Sequence, residues 1–142
     1  MRIINRRASY DYQLLEKFEA GIALSGPEVK SVKAGHFHLE EAFCQVKNGE
    51  LWLFNAHIHP YKFADTRDYN PRRARKLLLH KNEILKLAQY SLQKGLTIIP
   101  VSCYTKGNKI KLEIALAKGK KKYEKREAIK KRDLEREISG LK

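Results

Sequence analysis

Four of the five histidines fall in two His-x-His pairs, His36-Phe37-His38 and His57-Ile58-His59. On a strand, the two-residue period turns both imidazoles of a pair to one face, a geometry able to hold a transition metal. No cysteine pair, Asp-x-His or His-Glu-x-x-His stands nearby to complete a ligand set, and Pro60 follows the second pair directly. The pairs therefore read as solvent-facing or RNA-facing residues at strand ends, and neither a metal nor another cofactor is expected. Metal-free RNA cleavage is the other chemistry the composition allows, with His80 or His57 acting beside Glu83 or Lys81. His80 three residues ahead of Glu83 reads more economically as a helix start, with Glu83 in the reciprocal capping position. No nucleophile, glycine-rich phosphate loop or paired carboxylate motif is visible. No catalytic residue and no enzymatic activity are expected.

The basic residues carry more information. The chain has a formal net charge of +14 over 142 residues, which fits association with a phosphate-rich partner. Arg72, Arg73, Arg75 and Lys76 form one cluster, Lys30 and Lys33 lie one helical turn apart, and Lys109 and Lys111 share one strand face. Any single lysine is ordinarily just solvated; groups this dense with few interposed acids favour phosphate binding. Tyr10, Tyr12, Tyr61, Tyr69 and Tyr123 could add base stacking, but tyrosines in a small barrel are more often core or rim residues. Stacking is expected only of Tyr123.

No run approaches the roughly 20 apolar residues that span a bilayer. The start, MRIINRRASYDY, lacks the apolar stretch of a secretory signal. Cys44 and Cys103 sit inside predicted strands and read as buried reduced thiols, so a cytoplasmic protein with no membrane partner is expected.

The pattern also predicts the elements that position these groups. Phe18 to Leu24 reads as a strand, and Gly26-Pro27 opens a short helix over Glu28–Ala34 that Gly35 stops. Ala42–Lys47 and Glu50–Asn55 flank Asn48-Gly49, the preferred type I′ hairpin turn. Tyr61 to Arg75 reads as a long loop carrying the basic cluster. His80 to Lys94 reads as an amphipathic helix with Gly95 at its C-terminal cap position, and Leu96–Tyr104 and Lys109–Ala117 as a second hairpin. The sum is an α+β, mainly β chain: a small antiparallel OB-like barrel over residues 1–117 with two or three flanking helices.

Residues 118–142 differ from all this. They hold 11 of the 30 lysines and arginines and only five sizeable apolar side chains, Tyr123, Ile129, Leu134, Ile138 and Leu141. So little apolar surface does not offset the entropy of ordering ~25 residues in free solution. The residues are mostly good helix formers without proline. A basic tail is expected, disordered when free and helical on a polyanion.

Five separated runs carry a family resemblance: Asn5-Arg6-Arg7-Ala8, Phe18-Glu19-Ala20-Gly21-Ile22, Glu28-Val29-Lys30-Ser31 with Ala34-Gly35, Arg75-Lys76-Leu77-Leu78-Leu79, and Gly119-Lys120-Lys121. In order and spacing the chain resembles small protein B (SmpB), the bacterial partner of transfer-messenger RNA. The resemblance implies a cytoplasmic RNA-binding protein of trans-translation; with no obvious apolar seam in the sequence, a monomer is the default expectation. Its barrel would bind the tRNA-like domain of transfer-messenger RNA, and the two would enter the A site of stalled ribosomes. The tail would become helical in the decoding centre and empty mRNA channel of the small subunit, so that the stalled peptide is tagged for proteolysis.

Carried over by position, the resemblance implies an RNA-binding surface of Asn5, Glu19, Lys30, Lys33, Arg75, Lys76, Leu78, Lys109 and Lys111. It places Gly119, Lys120, Lys121, Tyr123, Glu124, Lys125 and Arg126 at the decoding centre. Glu19 would accept from a base or sugar, or organise neighbouring lysines. Tyr123 stands where the family's histidine is expected and Glu124 where an aspartate is. The alternative is a general structured-RNA or ribosome-binding protein that reads shape and charge only.

Overall fold

The computed structural model describes residues 1–93 and 95–120. In chain order the elements are β1 (Arg2–Ile4), α1 (Arg6–Asp11), β2 (Tyr12–Ile22), α2 (Gly26–Lys33), β3 (Phe37–His38), β4 (Phe43–Lys47), β5 (Glu50–Phe54), β6 (His57–Ile58), β7 (Arg75–Leu78), α3 (Lys81–Ser91), β8 (Leu96–Lys106) and β9 (Lys109–Gly119). One antiparallel sheet runs β1-β8-β4-β5-β7-β2-β9, and pairing of β8 with β9 closes it into a barrel. Closure pairs both long sides of β2, β8 and β9 and leaves only the short β1 at an edge of this sheet. The short ribbon of β3 and β6 stands apart from that sheet.

Alternation along the strands fills the interior. Phe18 and Ala20 of β2, Leu51 and Leu53 of β5, Leu77 of β7, Ile98 of β8, and Leu112 and Ile114 of β9 form the core, with Leu87 of α3 packed among them. Both cysteines are buried there as free thiols. Burial pushes the Cys103 thiol up to about 12 and raises the Cys44 thiol as well, which keeps both protonated.

The two turn-coded features form as their residues dictate. Asn48 and Gly49 both adopt positive φ, 52° and 75°, as a type I′ turn requires. At α3 the His80 N–H donates to Glu83 Oε1 at 3.2 Å, so His80 stands at the helix start as its sequence predicts. At α2 the capping is reciprocal: Ser25 Oγ accepts from the Glu28 N–H and Glu28 Oε1 accepts from the Ser25 N–H, with Pro27 in the first turn.

Several boundaries differ from the sequence expectation. The first long strand begins at Tyr12, six residues before Phe18, because a bulge between Leu14 and Glu16 breaks the alternation that would have revealed it. Neither β1 nor α1 was expected, both being too short to show a period. Arg75 and Lys76 belong to β7 and not to the preceding loop. The last strand continues through Gly119, beyond the expected end at Ala117, and the Lys120 N–H still bonds to the Asp11 carbonyl at 2.9 Å. The expectations for Lys121, Tyr123, Glu124, Lys125 and Arg126 fall on residues outside the described ones.

Candidate nucleic-acid interface

The antiparallel register sets one row of residues across the outside of the barrel. Leu78 of β7 lies opposite Gly21 of β2, Gly21 opposite Lys111 of β9, and Lys111 opposite Tyr104 of β8. Residues directly opposite one another share a face, so this row presents an exposed leucine, a gap at the glycine, an ammonium and a phenol. Leu78 is 53% exposed beside the fully buried Leu77. A side chain at position 21 would come within 3.3 Å of the Leu78 Cβ. The glycine therefore keeps the floor open beside Leu78. Leu78, Val29, Lys109 and Lys111 line the resulting groove, with a volume of about 350 Å³.

Glu19 occupies the next position along β2 on the same face. It accepts hydrogen bonds from the Tyr104 hydroxyl and, at 3.4 Å, from Lys106 Nζ. The Tyr104 hydrogen bond, then the charges of Lys106 and Lys111, hold the Glu19 carboxyl below its ordinary range. In return the bond to Glu19 pushes the Tyr104 hydroxyl up to about 12. Glu19 thus holds Tyr104 and Lys106 together beside the groove, with the charge of Lys111 near it. Tyr104 and Lys106 are members of this face that the sequence reading missed. Strand parity is the signal that could have found them, since position 104 faces position 111 across the hairpin.

The remaining candidates divide. Lys76 is on β7 two residues from Leu78 and therefore on the same face, where Nζ lies 3.4 Å from Glu50 Oε2. Lys30 and Lys33 are exposed in the last turn of α2. Gly119 and Lys120 are anchored to the barrel. Gly119 is in register with Tyr12, and Lys120 Nζ donates to the Ser9 carbonyl at 2.6 Å. Gly119 is the last residue of β9.

Two candidates are buried and do not lie on this face. Arg75 is 0% exposed. Its Nε and Nη2 donate to Glu28 Oε2 at 3.0 and 2.7 Å, Nη1 to the Ala56 carbonyl at 2.7 Å, and Nη2 also to the Pro71 carbonyl at 2.9 Å. Arg73 also pairs with this carboxylate, Nη2 donating to Oε1 and Nε to Oε2 at 3.1 Å, and the Tyr69 hydroxyl lies 3.1 Å from Glu28 Oε2. Burial by itself would raise the Glu28 carboxyl, but the hydrogen bonds from Arg73, Ser25 N–H and Arg75 outweigh it and hold the group down at about 2. Arg75 is thus a brace between α2, the end of β5 and the 69–71 turn.

Asn5 is the second buried candidate. At 5% exposure it caps α1 by accepting from the Arg7 N–H at 3.2 Å, while Nδ2 donates to the Pro100 and Leu39 carbonyls at 2.8 and 3.3 Å. Its expected effect is on stability. Asn5→Ala should cost about 1–3 kcal/mol by removing the cap and leaving two carbonyls short of a donor. Asn5→Asp keeps the cap acceptor but points a carboxylate at those carbonyls, so urea midpoints should rank wild type above Asn5→Ala above Asn5→Asp. An RNA contact with no structural role would leave all three midpoints equal.

The histidine pairs meet on the β3–β6 ribbon. His38 and His57 are in register, with ring centroids 5.7 Å apart, and His36 and His59 repeat that spacing. Burial, then the charge of Arg72, keeps His57 below the usual imidazole range. Among the described residues, no group of three or more His, Cys, Asp or Glu is placed to hold a metal ion.

Comparison with known proteins places the whole chain. The profile of the family described as SmpB protein matches residues 2–141. The chain belongs to the SmpB family. The SsrA-binding protein of Carboxydothermus hydrogenoformans is 53% identical over 134 residues, covering 94% of this chain and 90% of that one. The SsrA-binding protein of Caldicellulosiruptor bescii is 56% identical over 134 residues, covering 94% and 85%. A solved SmpB structure, described as "tmRNA-SmpB: a journey to the center of the bacterial ribosome", superposes with a TM-score of 0.72 at 42% identity, covering 90% of this chain and 94% of that one. The family resemblance read from the five short runs, and the barrel fold it implied, are both met.

Proposed function

We propose that this protein binds the tRNA-like domain of transfer-messenger RNA on the outer face of its barrel and accompanies it to the A site of stalled ribosomes. Relatives sharing more than half of its residues are named for binding SsrA, and the solved SmpB counterpart is described with tmRNA and the ribosome. The observation that carries the site assignment is the gathering of Leu78, Lys109 and Lys111 around one groove, with the Glu19–Tyr104 pair beside it. The ammonium groups serve phosphates, while exposed Leu78 offers an apolar contact to a base or sugar face. Residues 1–120 act as the RNA-binding body, and the residues beyond it as the segment that enters the decoding centre and mRNA channel. The protein works as a monomer in the cytoplasm and catalyses no step itself. Among the described residues, no helix is long and apolar enough to cross a membrane.

The test is competition binding at near-physiological salt: the tRNA-like domain against bulk tRNA and an unrelated hairpin of equal length. A preference of about tenfold or more for the tRNA-like domain is expected. Lys109→Glu and Lys111→Glu should each weaken that binding by about 1–3 kcal/mol. Equal binding to all three RNAs, with a steep salt slope, would establish a general binder of structured RNA instead. Turnover of labelled RNA by the pure protein would overturn the non-catalytic reading.

A further inference from the structure

The loop after β6 carries two aromatic rings that the groove does not use. Phe63 is 76% exposed, and its ring meets that of Tyr61 edge to face, with centroids 5.4 Å apart and planes at 72°. Lys62 Nζ lies over the Phe63 ring at 4.8 Å from its centroid, and Lys30 Nζ over the Tyr61 ring at 5.7 Å. A lone exposed apolar side chain is ordinary on a protein surface. Two rings held at a fixed mutual angle with an ammonium over each are a different matter.

The surrounding charges sharpen the reading. Asp65, the acid of this loop nearest the rings in sequence, is taken by Arg67 through a pair of hydrogen bonds at 2.8 and 3.1 Å. Glu28 is taken by Arg73 and Arg75. Among the described residues, neither Lys30 nor Lys62 has an acid partner, so both ammonium groups are available to an incoming anion. Tyr61 is half-buried and lines a cleft of about 150 Å³ opposite Pro27 and Tyr69, which fixes its ring to the body of the protein. The site also adjoins the groove through α2, where Val29 lines the groove and the next residue, Lys30, overhangs Tyr61.

Stacking surface with adjacent cations is what unpaired nucleotides need: every base offers a π-face, and its phosphate needs a counter-charge. We propose that Tyr61 and Phe63, with Lys30 and Lys62 over their rings, form a stacking site for unpaired RNA bases, separate from the barrel-face groove. The proposal rests on the RNA-binding reading above and reverses the expectation that only Tyr123 stacks. A membrane surface also favours aromatic rings beside lysines, and the net positive charge suits either partner, but the contiguity with the groove favours RNA.

The test uses the full chain with fluorescein-labelled decaadenylate, a ten-base-pair blunt RNA duplex and the tRNA-like domain as probes. Phe63→Ala should weaken decaadenylate binding by about tenfold, leave duplex binding unchanged and leave the salt slope unchanged. Lys62→Ala should instead reduce the salt slope by about 0.7. Phe63→Trp should restore affinity, with indole emission quenched when the oligonucleotide binds. Phe63 is exposed, so its replacement leaves the core intact. Wild-type decaadenylate affinity in Phe63→Ala, or equal losses on strand and duplex, would overturn the stacking site. Loss of binding to phosphatidylserine vesicles alone would assign the rings to a membrane and overturn it as well. The groove is tested separately. If Lys109→Glu and Lys111→Glu fail to weaken tRNA-like-domain binding while Phe63→Ala behaves as stated, the groove assignment falls and the stacking site stands.

Discussion

Glu28→Ala is expected to lower the unfolding free energy by about 3–5 kcal/mol, the scale for removing one partner of a buried ion pair. The reason lies in what is left behind. Arg75 is fully buried and cannot reach water, so without the carboxylate it becomes an uncompensated cation among backbone carbonyls. A domain of this size has about 5–15 kcal/mol of net stability, so the variant should be near its folding limit. Glu28→Ala also removes the reciprocal cap of α2, since Ser25 N–H donates to the same side chain. The double replacement Glu28→Met with Arg75→Met should recover part of the loss by removing the stranded charge. Recovery stays incomplete because the Ala56 and Pro71 carbonyls then lack their donor.

Acid should act on the same group. The Glu28 carboxyl sits at about 2 in the folded chain, against about 4.5 for an unperturbed glutamate. Its folded value is depressed, so the stabilisation is fully present above pH 4.5 and is lost as pH falls through 2. The difference corresponds to about 3 kcal/mol. Urea unfolding at stepped pH should show wild type losing stability across this window, while Glu28→Gln shows a flatter profile. Parallel profiles for the two proteins, or an unfolding free energy for Glu28→Ala within about 0.5 kcal/mol of wild type, would contradict the keystone role of this pair.

Arg75 shows why the site was only partly legible in the sequence. Four basic residues within five positions, 72–76, have the appearance of a solvated patch. Nothing local reveals that two of them point at a glutamate more than 40 residues earlier. The pairing exists only once the barrel brings α2 beside β7. Leu78 presents the converse problem. In the run Leu77-Leu78-Leu79 all three residues are equally apolar, and only the register of β7 against β2 decides that Leu77 faces in and Leu78 out. By contrast the Asn48-Gly49 hairpin was readable because positive φ at two successive residues is a local demand that few residue types meet. Lys109 and Lys111 were readable for a similar reason, since period-two alternation needs no knowledge of the rest of the fold. Local rules therefore supplied turns and strand faces, while long-range pairing alone separated the brace from the interface.

Truncation after Lys120 is expected to abolish peptide tagging on stalled ribosomes while leaving tRNA-like-domain binding within about tenfold of wild type. The charge distribution is the argument for the second half. Residues 121–142 carry nine lysines and arginines against five acids, so +10 of the net +14 stays on residues 1–120 with the groove and the exposed lysines of α2. The salt dependence of RNA capture, set by the number of phosphates neutralised, should accordingly change little. The cut must fall after Lys120 and not before Lys118. Gly119 pairs with Tyr12, and Lys120 bonds to the Asp11 and Ser9 carbonyls, so the earlier cut also removes the end of β9 and loosens α1. Comparing the two truncations separates lost function from lost stability: both should fail in tagging, and only the shorter chain should also lower the urea midpoint. Tyr123→His in the full chain should keep tagging, because an imidazole offers the same stacking face, whereas Tyr123→Ala should reduce it. Tagging by the 1–120 chain at the wild-type rate would remove the division between an RNA-binding body and a ribosome-entering tail.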